Sequence, residues 1–294
     1  MHRRFALAII ALAVLSASAV AVGSNRARFV DSFNWRLNAP WFGGFSGLEL
    51  SEDGNQMTVL SDRATILTAQ ILRESGRVVA IRAGRPHKIR SSRNKVLSGR
   101  AGDSEGLAIA ADGTVFISFE GIHRVAHHPA FDAASRVLPR PKAFTSMAPN
   151  GSFEPLAIDS RGRLYTLPES SRTADGQIPV YRWDGRRWTG FGSLPPSGGF
   201  QPVGADIGPD GRFYLLERAT GFLGFKSRLT RWRIGRRGLV DPETLLQTSN
   251  GTHDNLEAVS VWRDRQGRLR ATMISDDNFL PVQRTEIVEY TLPE

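Results

Sequence analysis

The stretch Glu105 to Glu120, EGLAIAADGTVFISFE, holds a whole structural unit in 16 residues. An apolar run leads into Ala111-Asp112-Gly113-Thr114, and a second apolar run ends on an acid. Asp-Gly between two such runs is a hairpin signal, because Gly supplies the positive φ that the turn needs. The second run, Thr114-Val115-Phe116-Ile117, is made of residues that suit a pleated, half-buried surface. Four more stretches repeat the unit: SGLELSEDGNQMTVLSD (Ser46 to Asp62), EPLAIDSRGRLYTLPE (Glu154 to Glu169), VGADIGPDGRFYLLE (Val203 to Glu217) and EAVSVWRDRQGRLRATMISD (Glu257 to Asp276). Their opening residues lie 59, 49, 49 and 54 positions apart. Strand pairs recurring at such a period predict an all-β fold, a β-propeller.

Each unit is followed by candidates for further strands. Third strands are expected at 66–72, 122–126, 178–183, 227–234 and 286–292, and fourth strands at 88–97, 140–145, 187–194 and 243–248. The last unit has no room for a fourth strand before Glu294, whereas an unassigned strand, RFVDSFNWRL (Arg28 to Leu37), precedes the first. The N-terminal strand is therefore expected to complete the last blade and close the ring, which removes open sheet edges. The count gives five blades; a degenerate sixth would have to fit inside the 59-residue interval. No long amphipathic helix pattern and no linker appear, so residues 26–294 read as a single domain.

Residues 1–21 read as a signal peptide. Arg3 and Arg4 precede the apolar run Phe5 to Leu15, and A-x-A patterns follow at Ala17-Ser18-Ala19 and Ala19-Val20-Ala21. The Arg3-Arg4 pair leaves the twin-arginine and general secretory routes both open, and an uncleaved anchor is the competing reading. Cleavage would leave no membrane span and a periplasmic or secreted monomer. The 294 residues contain no cysteine, which suits an oxidising compartment and excludes thiolate chemistry. The formal net charge is +9. Arg182-Trp183 and Arg231-Trp232-Arg233 interleave cation and ring, which fits strands with Trp inward and Arg outward rather than nucleic-acid binding. The basic balance instead suits a small anionic ester or an envelope ligand.

Aligned on the opening residue, the units read Ser46, Glu105, Glu154, Val203 and Glu257; at the end of the second strand they read Asp62, Glu120, Glu169, Glu217 and Asp276. Antiparallel pairing puts both positions at one end of the sheet. A ring of blades then gathers up to eight carboxylates at one mouth of the channel. Such crowding needs compensation. A hard cation such as Ca²⁺, pairing with Arg63, Arg172 or Arg218, and plain solvation are the three candidates. Asp276-Asp277-Asn278 offers oxygen ligands or a turn, and His253 near Glu257 offers an acid–base pair or a polar loop. His127-His128 and Asn150-Gly151-Ser152 read as surface loop. No G-x-S-x-G elbow, P-loop or dinucleotide fingerprint is present.

The phrases SGLEL, DSEGLAIAADGTVFISFE, SFEPLAID, DNLEAVSV and DDNF, from about Phe42 onward, resemble the esterase-like domain of the phytase-like family, exported bacterial propellers. The resemblance implies a Ca²⁺-dependent hydrolase of phosphate or other anionic esters. It implies metal ligation by Glu105, Glu154, Glu257, Glu120, Glu169 and Asp276. Arg63 and Arg218, with Asp62 and Glu217 beside them, would face the substrate. A non-catalytic propeller that binds a ligand or an envelope partner, its acids held by a structural metal or by arginine, is the other reading.

Overall fold

The computed structural model describes residues 26–145, 147, 153–196, 198–222 and 224–294. The signal segment and Asn150-Gly151-Ser152 lie outside them. Five antiparallel sheets make five blades. Their inner strands are Phe45–Leu50, Ser104–Ile109, Phe153–Ile158, Gln201–Ile207 and Leu256–Arg263, which name blades I to V in chain order. Each inner strand packs beside those of its two neighbours, and blade V meets blade I to complete a five-bladed β-propeller.

The five hairpin turns are built alike. Gly54, Gly113, Gly162, Gly211 and Gly267 all have φ between 67° and 85°. Each donates its N–H to the carbonyl three residues back at 2.8 Å. In blades II to V this is a three-residue hairpin loop with its last residue left-handed, and in blade I a four-residue loop with Asn55 after the glycine; a side chain at the glycine position would strain either.

The N-terminal strand Arg28–Asn34 pairs antiparallel with Glu286–Thr291 and becomes the outer strand of blade V. Blades III and IV carry fourth strands where expected, at Trp188–Leu194 and Leu239–Gln247. Blades I and II correct the expectation. In blade I the fourth strand is Arg77–Ala83, not 88–97. Ser75 (φ 50°) and Gly76 (φ 78°) make a tight turn after only two residues, and His87–Lys88 adds a short pairing of its own. In blade II it is Arg136–Val137, not 140–145. Pro139 and Pro141 remove ladder donors there, and Lys142–Thr145 forms one helical turn. His127 and His128 are also not surface loop: they end the strand Arg124–His128, and His128 is fully buried.

The apolar core is divided among the blades. Five clusters fill the five wedges between neighbouring sheets. The I–II wedge, for example, holds Leu60 and Ile66 against Leu107 and Ile117. Trp183, Trp188 and Trp232 point inward as expected. Arg231 does not point outward: it is buried and bound to Glu243 at 2.7 Å.

The V–I wedge carries a polar clasp. Glu289 of blade V is wholly buried and takes both guanidinium nitrogens of Arg73 from blade I, at 2.6 and 2.7 Å. Arg270 and the Thr272 hydroxyl donate to the same carboxylate at 2.7 and 2.8 Å.

Candidate functional site: an acidic channel mouth

In every blade the pairing of inner and second strands slips at the opening residue. The register shifts fall between Phe45 and Gly47, Ser104 and Leu107, Phe153 and Leu156, Pro202 and Gly204, and Leu256 and Ala258. Ser46, Glu105, Glu154, Val203 and Glu257 each sit in such a bulge, which re-aims a side chain and frees it from the ladder. Gly106 follows Glu105 for a packing reason: a Cβ there would lie 2.6 Å from Ser118 Oγ and 2.7 Å from Leu156 Cβ. The Glu-Gly step thus lets blade III approach blade II closely enough to bring their acids together.

The carboxylates do converge. Oxygens of Asp103, Glu105 and Glu120 lie within 4.8 Å of one another, and so do those of Glu120, Glu154 and Glu169. Glu120 belongs to both groups. Arg218, on blade IV, spans the neighbouring arc. It donates to Glu257 of blade V and to Glu169 of blade III at 3.3 Å, and to Asn255 Oδ1 at 2.8 Å. Asn255 in turn donates to Glu257 at 2.7 Å. Arg218 therefore compensates one arc of the ring, and Glu169 joins that arc to the carboxylates of Asp103, Glu105, Glu120 and Glu154.

The protonation equilibria carry the mark of this crowding. Burial, then Glu154 and Glu257, push the Glu105 carboxyl well up. Burial and Glu169 do the same to Glu154, against the pull of Arg218. Glu257 and Glu169 are raised by burial, with Arg218 opposing the shift in both. Burial and Glu257 push Asp276 up to about 8, and burial raises Asp62 to about 6 against the influence of Arg63. Arg218 is held above the ordinary arginine value: burial acts to lower it, but Glu257, Glu154, Glu169 and Asp276 outweigh that.

The remaining expected residues divide. Asp276 is buried beside this group, its Oδ1 accepting the Asn278 N–H at 2.7 Å. Asp277 instead holds the turn: it accepts the Gly44 N–H at 3.0 Å and the Thr285 hydroxyl at 3.0 Å. Asn278 and Phe279 follow it with φ of 48° and 53°. That uncommon pair of left-handed residues sets the Phe279 ring under the exposed Arg63 guanidinium, 3.3 Å from its centroid. Asp62, Arg63, Lys88 and Asp103 line a 490 Å³ cavity at the I–II edge of the mouth. Glu217 stands apart, gripped at 2.8 and 2.9 Å by Arg228, its partner across the strands. Arg172 binds the Glu169 carbonyl oxygen at 2.9 Å rather than its carboxylate. His253 faces Tyr290 at 2.8 Å and lies 3.8 Å from Glu286, not Glu257.

Two site residues escaped the alignment of repeats, Asp103 and Asn255. Each stands two positions before an opening glutamate, just ahead of the inner strand, and meets that glutamate at the mouth. The motifs Asp103-x-Glu105 and Asn255-x-Glu257 were the available signal.

Further along the channel the inner strands nearly close. A void of about 10 Å³, room for one water at most, is lined by Leu48, Leu107, Leu156 and Val259 among others. The mouth is thus a cup, not one end of a pore. Beyond the constriction side chains stitch neighbouring blades: Glu49 accepts the Ile109 N–H at 3.3 Å, Asp206 the Val261 N–H at 2.5 Å and the Ser260 hydroxyl the Leu50 N–H at 3.0 Å.

Comparison with known proteins agrees with this architecture. Among solved structures, the catalytic domain of the Coprinopsis cinerea GH62 α-L-arabinofuranosidase superposes with a TM-score of 0.54 at 11% identity, covering 91% of this chain and 96% of that one. The PQQ-bound aldose sugar dehydrogenase of Streptomyces coelicolor gives a TM-score of 0.46 at 13% identity over 90% of this chain and 98% of that one. Virginiamycin B lyase of Staphylococcus aureus gives 0.41 at 10% identity over 90% and 99%. At such identity the first likeness shows the fold alone. No curated protein sequence matches. The family model described as "Phytase-like: Esterase-like activity of phytase" matches residues 40–279. The chain belongs to that phytase-like family.

Proposed function

We propose that this is an exported propeller, a single domain over residues 26–294 behind a signal peptide at 1–21, whose acidic mouth binds Ca²⁺ and hydrolyses phosphate or other small anionic esters. The observation that carries the reading is the double carboxylate group sharing Glu120, with oxygens within 4.8 Å of one another. An all-oxygen, all-anionic donor set suits a hard cation, and no sulfur or imidazole joins either group. Asp103, Glu105, Glu120, Glu154 and Glu169 would hold the ion, with the Glu257 and Asp276 carboxyls close behind them. Bound there, Ca²⁺ would supply Lewis-acid activation of a water and of an ester oxygen.

The chain's own residues do the rest. Arg218 fixes the orientation of Glu169 and Glu257 and opposes the rise that burial gives both carboxyl pKa values. Arg63 and Lys88, on the wall of the 490 Å³ cavity, attract the anionic part of the ester. Phe279 holds the Arg63 guanidinium in place.

The test is turnover of an aryl phosphate and an aryl acetate by the purified mature protein, with and without chelator, and by Glu105→Gln. Activity that needs Ca²⁺ and falls in the variant is expected. Turnover indifferent to both would overturn the metal reading. One observation favours a second reading: Arg218 already neutralises part of the ring. In a non-catalytic binding propeller it would serve as the structural counter-ion. No turnover of either ester, with a melting temperature unmoved by Ca²⁺, would establish that alternative.

A further inference from the structure

The turn face, opposite the acidic mouth, carries a cavity of 770 Å³ between blades III and IV. Five arginines line it, Arg161, Arg163, Arg182, Arg233 and Arg236, against a single carboxylate, Asp159. Two of the five have partners. Arg163 is bound to Asp159 at 2.6 Å and Arg233 to Asp241 at 2.7 Å. Among the described residues, no carboxylate lies within ion-pair range of Arg161, Arg182 or Arg236. Arg182 is the least ordinary of the three. It is half-buried, stacks on Phe191 with 4.4 Å from Cζ to the ring centroid, and its Nε has no hydrogen-bond partner. A guanidinium held at depth with a donor unsatisfied is costly unless an anion completes it.

The backbone explains why the charges meet here. Arg161 and Arg163 flank Gly162 in the inner hairpin turn of blade III, while Arg233 precedes the outer turn of blade IV and Arg236 lies within it. All turns of these two kinds emerge on one face of the propeller. Arg182 lies beside the outer turn of blade III and reaches the same wedge.

We infer that this cleft is a second ligand site, specific for a phosphate-bearing polyanion, and separate from the acidic mouth. Three unpaired guanidinium groups around one cavity exceed what a single carboxylate would neutralise, and the planar fork of arginine matches phosphate oxygens two at a time. The anion is a free oligophosphate or a phosphate headgroup at a surface; the chemistry of the cleft is common to both. The site does not depend on the catalytic reading of the mouth.

The test uses the mature protein in metal-depleted buffer, with sodium tripolyphosphate as the calorimetric probe. Saturable binding is expected, weakened at least tenfold in Arg182→Met and in the double variant Arg161→Gln/Arg236→Gln, and unchanged in Glu105→Gln. Arg161 and Arg236 are exposed, so that double variant keeps the test available even if Arg182→Met folds poorly. Co-sedimentation with phosphatidylglycerol vesicles, against phosphatidylcholine alone, distinguishes the sources. Vesicle binding lost in the double variant assigns a headgroup, and tripolyphosphate binding without vesicle binding assigns a free oligophosphate. Absence of binding to either probe, binding that survives both arginine variants, or binding lost in Glu105→Gln would overturn the proposal.

Discussion

Arg218→Met separates the two ways in which the acidic ring can be compensated. Arg218 is largely buried and serves Glu257 and Glu169 at once, with Asn255 as a third partner. Methionine keeps the length and removes the charge. Breaking a buried pair from one side costs about 3–5 kcal/mol, because the remaining charge is left uncompensated. For a chain of this size 1 kcal/mol moves the melting temperature by about 2–4 °C, so a fall of roughly 6–20 °C is expected without Ca²⁺. The carboxylates can limit that loss by taking up a proton, so the fall should be larger at pH 8 than at pH 5. If a cation and Arg218 share the work of neutralisation, Ca²⁺ should stabilise the variant more than the parent. At 100 times its Kd the ion contributes about 2.7 kcal/mol to whichever form binds it. The assay is a thermal melt of both proteins at two pH values, in chelator and across a Ca²⁺ titration. An equal loss in chelator and in saturating Ca²⁺, with no change in apparent Ca²⁺ affinity, would refute the shared-compensation argument.

Three further outcomes follow from the packing. Glu289→Gln leaves Arg73 and Arg270 buried without their counter-charge, so denaturant unfolding should show a loss of about 3–5 kcal/mol; less than 1 would mean that the V–I clasp adds little to ring closure. Asp206→Ala strips the acceptor from the Val261 N–H, and the same measurement should show a loss of about 1–3 kcal/mol, against no loss if the blade stitch is dispensable. His128 is buried and its pKa is pushed down to about 4. The folded state therefore binds its proton less readily than the unfolded chain. Its contribution to stability is present above about pH 6.5 and is lost as pH falls toward 4, so His128→Leu should flatten that acid limb in a melting-temperature profile.

The repeat was legible because its turns obey local chemistry. Gly54, Gly113, Gly162, Gly211 and Gly267 need positive φ whatever surrounds them, and alternating apolar residues flank each one. Closure by Arg28–Asn34 was legible from strand counting alone. The convergence of Glu105, Glu120, Glu154 and Glu169 followed from antiparallel geometry. What could not be read were facts that depend on register and on neighbouring blades. Glu217 lies directly across from Arg228, a pairing set by the alignment of two strands. The bulges at all five opening residues are departures from regular register that period-two alternation does not encode. Arg231 alternates with Trp232 as an outward residue would, yet Glu243 and the Pro293 carbonyl cover it, and His128, read as loop, ends a strand on the buried face of Ala126. The fourth strands of blades I and II failed for a local reason, since Ser75-Gly76 and Pro139 were turn and breaker signals passed over.

The distribution of charge gives the propeller two chemically different ends. At the mouth, the strand-end acids of blades II, III and V meet over a narrow constriction, and raised carboxyl pKa values record the cost of keeping them there. At the turn face, five arginines line one cleft between blades III and IV against a single carboxylate. The constriction of about 10 Å³ blocks passage between the ends, so neither can feed the other along the axis. A polyanion attracted to the basic face would hold the protein with its acidic cup turned away from that surface and open to solution. Small anionic esters would then reach Arg63 and Lys88 by diffusion in bulk water, where their fields fall off within about 8–10 Å at physiological salt. The proposed binding at one end and the proposed chemistry at the other would thereby be separable, which is why the arginine variants of the cleft and Glu105→Gln of the cup serve as controls for each other.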